Sequence, residues 1–241
     1  MLRQQVNAET LSTEFDRAMI DAFEDLAHLN AGAIGNHFRY VPMMCEYTPY
    51  SLDLIGVLAP LAAELLGCNV LPGRAKATIY VGSAKWHRDT DLNVRSIGLA
   101  AYLEPLTAST GALQVIPGSH HPDYGTAIDS YLSDSPAIAG VGLPTGPGDL
   151  IVFNEHLFHA TSGGGTRRQW RIDFVADDAP DDILTEWYAR QYSVGWDAGY
   201  NLDRYPSYGP YWQTRHPHWN QRLTELGAYQ AAHAEETAAS R

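Results

Sequence analysis

"GDLIVFNEHLFHATSGG", Gly148–Gly164, carries two histidines three residues apart. Whether this stretch is helix or strand decides what kind of chain this is. The His-Glu-x-x-His order that a zinc-protease helix needs is absent, and the flanking residues are strand-like. In a strand, alternate side chains face opposite sides. His156 and His159 then point apart if the strand is straight, so at most one of them joins a common site. The other is expected to be an ordinary structural histidine.

Other segments read the same way. "KATIYVG", "RSIGLAAYL", "GALQVIPG" and "WRIDFVA" are short, rich in branched or aromatic residues, and bounded by Gly, Pro, Ser or Asp, which are strand signals. Alternation is clearest in Ile97, Leu99, Ala101 and Leu103, and again in Trp170, Ile172 and Phe174. Ahead of them, Leu11, Phe15, Met19, Phe23 and Leu26 form one apolar helical face over residues 11–29. A second helical stretch runs from after Ser51 toward Leu66; Pro60 should kink or split it and Gly67 should stop it. Gly118 to Gly148 shows no period and is expected to be a long ordered loop, while "DDILTEWYARQY" fits a helix. Helices followed by many short strands imply a mainly β fold with flanking helices, a sandwich or barrel with the helices outside. One domain is expected over 1–241, with N-terminal helices in 1–68, a β core over about 69–178 and a helical, aromatic-rich segment over 179–241.

The bulk composition narrows the function. With a net charge of −12 and 18% charged residues, the chain lacks the basic stripes that nucleic acid or an anionic membrane selects. No apolar run approaches the roughly 20 residues of a spanning helix. "MLRQQVNAETLSTEF" lacks the apolar core of a signal peptide, so a cytoplasmic location is expected. Cys45 and Cys68 form no CxxC pattern and are expected to be free thiols.

The chemistry starts at "KWHRDTD", Lys85–Asp91. In an extended chain His87 and Asp89 project together while Arg88 points away. One imidazole and one carboxylate on one face are two thirds of the 2-His-1-carboxylate triad that holds non-haem Fe(II) with open positions. The third ligand must come from a passing strand, and His156 and His159 are the candidates. Read from the residues alone, zinc-type hydrolase or isomerase chemistry on a similar barrel, or a non-catalytic ligand-binding barrel, stay open beside an oxygenase.

"WHRDTD", then "TGALQVIPGSHH", then "GDLIVFNEHLFHATSGG" with "RRQWRIDF" resembles, in this order, the motif series of the phytanoyl-CoA dioxygenase family of Fe(II)/2-oxoglutarate-dependent oxygenases. The likeness covers about residues 85–175; "STGAL" lacks the acidic or Asn residue common before that Leu. It implies a double-stranded β-helix, a jelly-roll or cupin-like barrel. It also implies Fe(II) held by His87, Asp89 and His159, 2-oxoglutarate as co-substrate and O2 as oxidant. His159 is preferred over His156 because "HAT" matches the family's His-small-Ser/Thr ending, which leaves His120 and His121 outside the ligand set. Thr161 matches a position that can hydrogen-bond the co-substrate. Arg167, Arg168 and Arg171 compete for its distal carboxylate. Arg168 is preferred, because it shares a strand face with Trp170, Ile172 and Phe174, expected to line the barrel interior. The implied reaction decarboxylates 2-oxoglutarate to succinate and CO2 while oxidising, typically hydroxylating, an unactivated C–H of a small molecule. Specialised-metabolite tailoring is the expected setting; the loop 119–147 is a candidate lid, and the aromatic stretch from Trp196 and Tyr200 to Trp212 is either another or simply packs the C-terminal segment on the barrel.

Overall fold

A computed structural model describes residues 1–23, 37–134, 138–193 and 203–229. Leu26, Trp196, Tyr200 and part of the expected lid lie outside them. Helix α1 (Ala8–Ala22) starts at Asn7, whose side chain accepts from the Thr10 amide, and buries Leu11, Phe15 and Met19, the face foreseen from their spacing. Strand β1 is His37–Pro42. Helix α2 (Pro49–Leu66) ends at Gly67 and, against expectation, runs unbroken through Pro60. Pro60 sits on the exposed side of the helix, where the carbonyl it cannot bond stays open to water. The 18 residues of α2 are also long and apolar enough by composition to cross a bilayer, which the sequence reading had not found. In this fold Leu52, Ile55, Leu58 and Ala62 bury one face of it in the core.

The strands follow as β2 (Val70–Pro72), β3 (Lys76–Val81), β4 (Ala84–His87), β5 (Ser96–Tyr102), β6 (Thr110–Val115), β7 (Val141–Leu143), β8 (Ile151–Asn154), β9 (His159–Gly163) and β10 (Thr166–Ala176). They form two antiparallel sheets. One has the order β1-β3-β10-β5-β8, with β2 also on β10; the other has the order β4-β9-β6-β7. This is the jelly-roll architecture of a double-stranded β-helix. The expected loop between Gly118 and Gly148 instead holds helix α3 (Pro122–Asp134) and β7. Its helical face is short and mixed in polarity, so it gave little periodic signal. Helices α4 (Asp181–Ser193), α5 (Pro210–Arg215) and α6 (Pro217–Glu225) complete the chain.

Strand β10 organises the larger sheet. Helices α1 and α2 pack over that sheet. On β10's helix side Trp170, Ile172 and Phe174 are fully buried, and the Trp170 indole N–H donates to Ser51 Oγ on α2 at 2.7 Å. Tyr205, Tyr208 and Trp212 are buried in the same core. The described part of the aromatic stretch is therefore packing; only Tyr211 is exposed.

Asp149 fastens the chain's start to the strand motif it begins. Its carboxylate accepts from the amides of Gly146 and Gln4 at 2.9 and 3.2 Å and pairs with Arg3. Burial works against the charge, but these donors hold its pKa below the usual carboxylate range. A carboxylate depressed on folding stabilises above its unfolded pKa and loses that contribution as pH falls through the folded value. Asp149→Asn is therefore expected to cost about 1–3 kcal/mol near neutral pH. The deficit should shrink in acid, below about pH 4, as read by denaturant unfolding across pH.

Candidate active site

Strand β4 ends at His87 and pairs with the start of β9 at His159. Just beyond β4 the Asp89 amide donates to the Glu155 carbonyl at 2.9 Å, which turns the carboxylate toward the two histidines. Ligand atoms of His87, Asp89 and His159 all lie within 4.8 Å of one another. His87 Nε2 is 3.8 Å from Asp89 Oδ1, and His159 Nε2 is 3.5 Å from Asp89 Oδ2. Backbone carbonyls fix both rings: Nδ1 of His87 faces Lys85 O at 2.7 Å and Nδ1 of His159 faces Leu157 O at 2.9 Å. A carbonyl can only accept, so each Nδ1 carries the proton and each Nε2 keeps its lone pair toward the cluster. Burial pushes the His159 pKa down, which keeps its imidazole neutral, as metal ligation requires. For Asp89, burial raises the pKa, but Arg171, His159 and His87 together outweigh it and hold the group well below the ordinary range. Two imidazoles that present Nε2 and one ionised carboxylate fit a divalent iron.

His156 takes no part: its Nε2 lies 2.9 Å from Val94 O. His120 and His121 stack on each other, with ring centroids 4.2 Å apart. Asp91 pairs with Arg190, and Arg88 with Asp129.

A cavity of about 460 Å³ opens from the cluster, lined among others by Tyr80, Tyr102, Phe153, Thr161, Arg167, Gln169, Arg171 and Trp187. Arg168 is not among them. It leaves the sheet on the helix side, where its side chain meets Glu104 at 2.5 Å and Ser12 and Asp16 of α1 at 2.8 and 2.7 Å. The expectation for Arg168 fails on parity. The apolar face of β10 packs under the helices, and the polar face, with Arg167, Gln169, Arg171 and Asp173, lines the space between the sheets. All four are buried. Their alternation in "RRQWRIDF" was visible in the sequence; what was missing was which face has the helices on it.

Arg167 is 2% exposed. It donates to Thr161 Oγ1 and to the Gly163 carbonyl, both at 3.2 Å, and its Nε has no partner. Among the described residues no carboxylate pairs with it; its neighbours are Tyr80 and Tyr102, whose phenols burial holds protonated. Gly111 makes the space: at φ +95° a Cβ there would sit 2.6 Å from Arg167 Nη1. Sequence reasoning also passed over Glu155, which is fully buried. Burial and Asp173 push its carboxyl up to about 7.

A mainly antiparallel jelly roll with a His-x-Asp…His cluster and a buried, unpaired arginine behind it is the arrangement of a non-haem iron, 2-oxoglutarate-using enzyme. The Phytanoyl-CoA dioxygenase (PhyH) family model matches residues 58–171, a span that includes the cluster, Arg167 and Arg171. Over that span the chain is similar to the phytanoyl-CoA dioxygenase family, and it is an Fe(II)/2-oxoglutarate-dependent oxygenase by class. No curated protein matches the sequence. Three similar folds among solved structures are AviO1, EctD and HygX. AviO1 from Streptomyces viridochromogenes Tue57 has 22% identity and a TM-score of 0.55, covering 72% of this chain and 86% of that one. EctD from S. alaskensis, with 2-oxoglutarate and 5-hydroxyectoine, has 22% identity and a TM-score of 0.50, covering 73% and 71%. HygX from Streptomyces hygroscopicus, with nickel and 2-oxoglutarate bound, has 13% identity and a TM-score of 0.54, covering 73% and 82%.

The two histidines of β9's approach can be separated by metal binding alone. Equilibrium dialysis with Co(II) should show His159→Ala losing affinity by about 100-fold or more, while His156→Ala stays within about twofold of wild type.

Proposed function

We propose that this enzyme hydroxylates a C–H bond of a small molecule, with His87, Asp89 and His159 as the iron ligands and Arg167, not Arg168, as the clamp for 2-oxoglutarate. The observation that carries the clamp is a buried guanidinium with an unpartnered Nε and, among the described residues, no acidic partner. A buried cation without a counter-charge is costly, so the protein is built for an anion to arrive there. Arginine's fork suits a carboxylate bidentately. Thr161 Oγ1 supports this end of the cavity twice, accepting from Arg167 and from the Ala84 amide at 3.0 Å.

When bound, iron supplies the activation of O2 that converts 2-oxoglutarate to succinate and CO2, one oxygen atom entering succinate and the other the substrate. The chain's residues do the rest. His87 and His159 present Nε2 because Lys85 and Leu157 hold Nδ1. Tyr80 and Tyr102 stay neutral and leave the charge of Arg167 for the co-substrate. Phe153, Leu113 and Trp187 supply apolar wall to the cavity. The mouth lies near His87, which is exposed. Of the cations lining the cavity there, Arg88 and Arg190 are already paired with Asp129 and with Asp91 and Glu186, which leaves the single exposed Lys85. That supports a small substrate of low charge over one bearing several phosphates such as a CoA thioester.

Anaerobic titration with Fe(II) and then 2-oxoglutarate tests the assignment through the weak visible charge-transfer band of the chelate. We expect the band in wild type and in Arg168→Ala at similar 2-oxoglutarate concentrations. Arg167→Ala should need at least about 30-fold more co-substrate, since truncating one partner of a buried charge pair costs about 2 kcal/mol or more. Equal demand in the Arg167 and wild-type proteins would remove Arg167 from the clamp. A folded, metal-loaded protein that forms no band at all would favour hydrolase or isomerase chemistry instead.

A further inference from the structure

Arg171 is buried beside the metal cluster and lines the cavity. Its Nη2 donates to Asp89 Oδ2 at 2.8 Å and to Glu155 Oε1 at 3.3 Å, and its Nε donates to Asp173 Oδ1 at 2.6 Å. Its guanidinium also lies over the Phe153 ring, 5.1 Å from the centroid. The partners are themselves held. Lys76 Nζ meets Asp173 Oδ2 at 2.9 Å. Glu155 accepts from the Trp187 indole at 3.1 Å and from Gln191 Nε2 at 3.3 Å, both on α4. Gly98 leaves the room: a Cβ there would lie 3.0 Å from Asp173 Oδ1 and 3.1 Å from Arg171 Nη2. Three acceptors, a ring face and a missing side chain fix this guanidinium in one place.

We infer that Arg171 is a positioning residue for the metal centre: it holds Oδ2 of Asp89, so that the carboxylate offers Oδ1 as a single ligand atom and cannot swing to chelate with both. This rests on the assignment of Asp89 as an iron ligand. A carboxylate can bind a cation through one or both oxygens. With one oxygen committed to Arg171, the protein supplies three ligand atoms. The remaining positions stay open for a two-oxygen co-substrate and O2. The chain Trp187 and Gln191 to Glu155 to Arg171 to Asp89 ties helix α4, at the mouth, to the orientation of one ligand. Nothing in it requires Arg171 to touch substrate or co-substrate.

Charge and position make opposite predictions here, which gives the test its edge. Removing a positive group beside a cation site strengthens cation binding by Coulomb's law alone. Removing the partner that orients a ligand weakens metal binding about 10- to 100-fold. Co(II), without co-substrate, is titrated into metal-free wild type, Arg171→Gln and Arg171→Lys, following both affinity and the visible absorption of the bound ion, with circular dichroism to certify the fold. The expected result is at least about tenfold weaker Co(II) binding in Arg171→Gln, with altered visible bands as Asp89 changes its mode. Arg171→Lys keeps the charge but lacks the planar fork that spans Asp89 and Asp173, so it too should bind more weakly, and it carries the test where the Gln variant does not fold. Unchanged or tighter Co(II) binding with an unchanged spectrum in a folded variant overturns the inference while leaving the metal centre intact. If wild type itself takes up no Co(II), the ligand assignment fails instead, which is a separate result.

Discussion

Strand β10 has to satisfy two incompatible surroundings, and the rest of the molecule follows from how it does so. One face lies under α1 and α2 and is closed by Trp170, Ile172 and Phe174, each fully buried. The other faces the space between the sheets and carries Arg167, Gln169, Arg171 and Asp173, which are nearly as inaccessible. Buried polar groups are tolerable only when partnered. The inner face therefore fixes what must stand opposite it: Lys76 for Asp173, Thr161 for Arg167, and Asp89 and Glu155 for Arg171. Because a period-2 strand cannot change face without changing register, this pairing also sets how β10 lies between β3 and β5.

The two arginines on that inner face are used differently. Arg171 is saturated by carboxylates of the protein, whereas Arg167 is surrounded by neutral phenols and a hydroxyl. The distinction is made by neighbours rather than by exposure, since both are buried. It also explains two glycines in strands where a larger residue would strengthen the sheet. Gly98 opens space beside Arg171 and Gly111 beside Arg167. Each gives up side-chain packing so that a guanidinium can lie flat against the backbone.

Much of this was legible in the residues. Spacing placed α1, the principal strands and the α4 segment. "WHRDTD" and "HLFHAT" contained the three side chains that the fold brings together, but His156 and His159 part because a turn over 155–158 separates β8 from β9, not through the parity of one straight strand. The failure over Arg168 has a specific cause. Parity says which residues share a face but not what covers it, so the apolar face of β10 was assigned to the interior and Arg168 with it. In a jelly roll whose active site lies between the sheets, the inward face is the polar one, and the apolar face belongs to the helices. The helix α3 was missed for a weaker reason, its mixed polarity, and the unbroken course of α2 because Pro60 lies where solvent can satisfy the orphaned carbonyl. Glu155 left no signal at all, since a single acidic residue between two strand-like runs is ordinary until its burial is seen.

The charge of the inner face is balanced in a way that bears on how the site fills. Three carboxylates, Asp89, Asp173 and Glu155, stand against three cations, Lys76, Arg167 and Arg171. A divalent ion alone would leave this low-dielectric space strongly positive, and a dianionic co-substrate alone would leave it strongly negative. Arriving together, their charges cancel and leave the balance of the site as it was. Each therefore lowers the electrostatic cost of the other, a coupling that by linkage must be reciprocal. The elevated pKa of Glu155 fits the same logic, because its burial and the charge of Asp173 disfavour ionisation, and a cation entering beside Asp89 would relieve part of that. Arg171 keeps the two ends of this arrangement distinct. By occupying itself with Asp89, Asp173 and Glu155 it leaves Arg167 as the buried guanidinium of this face with no carboxylate partner among the described residues.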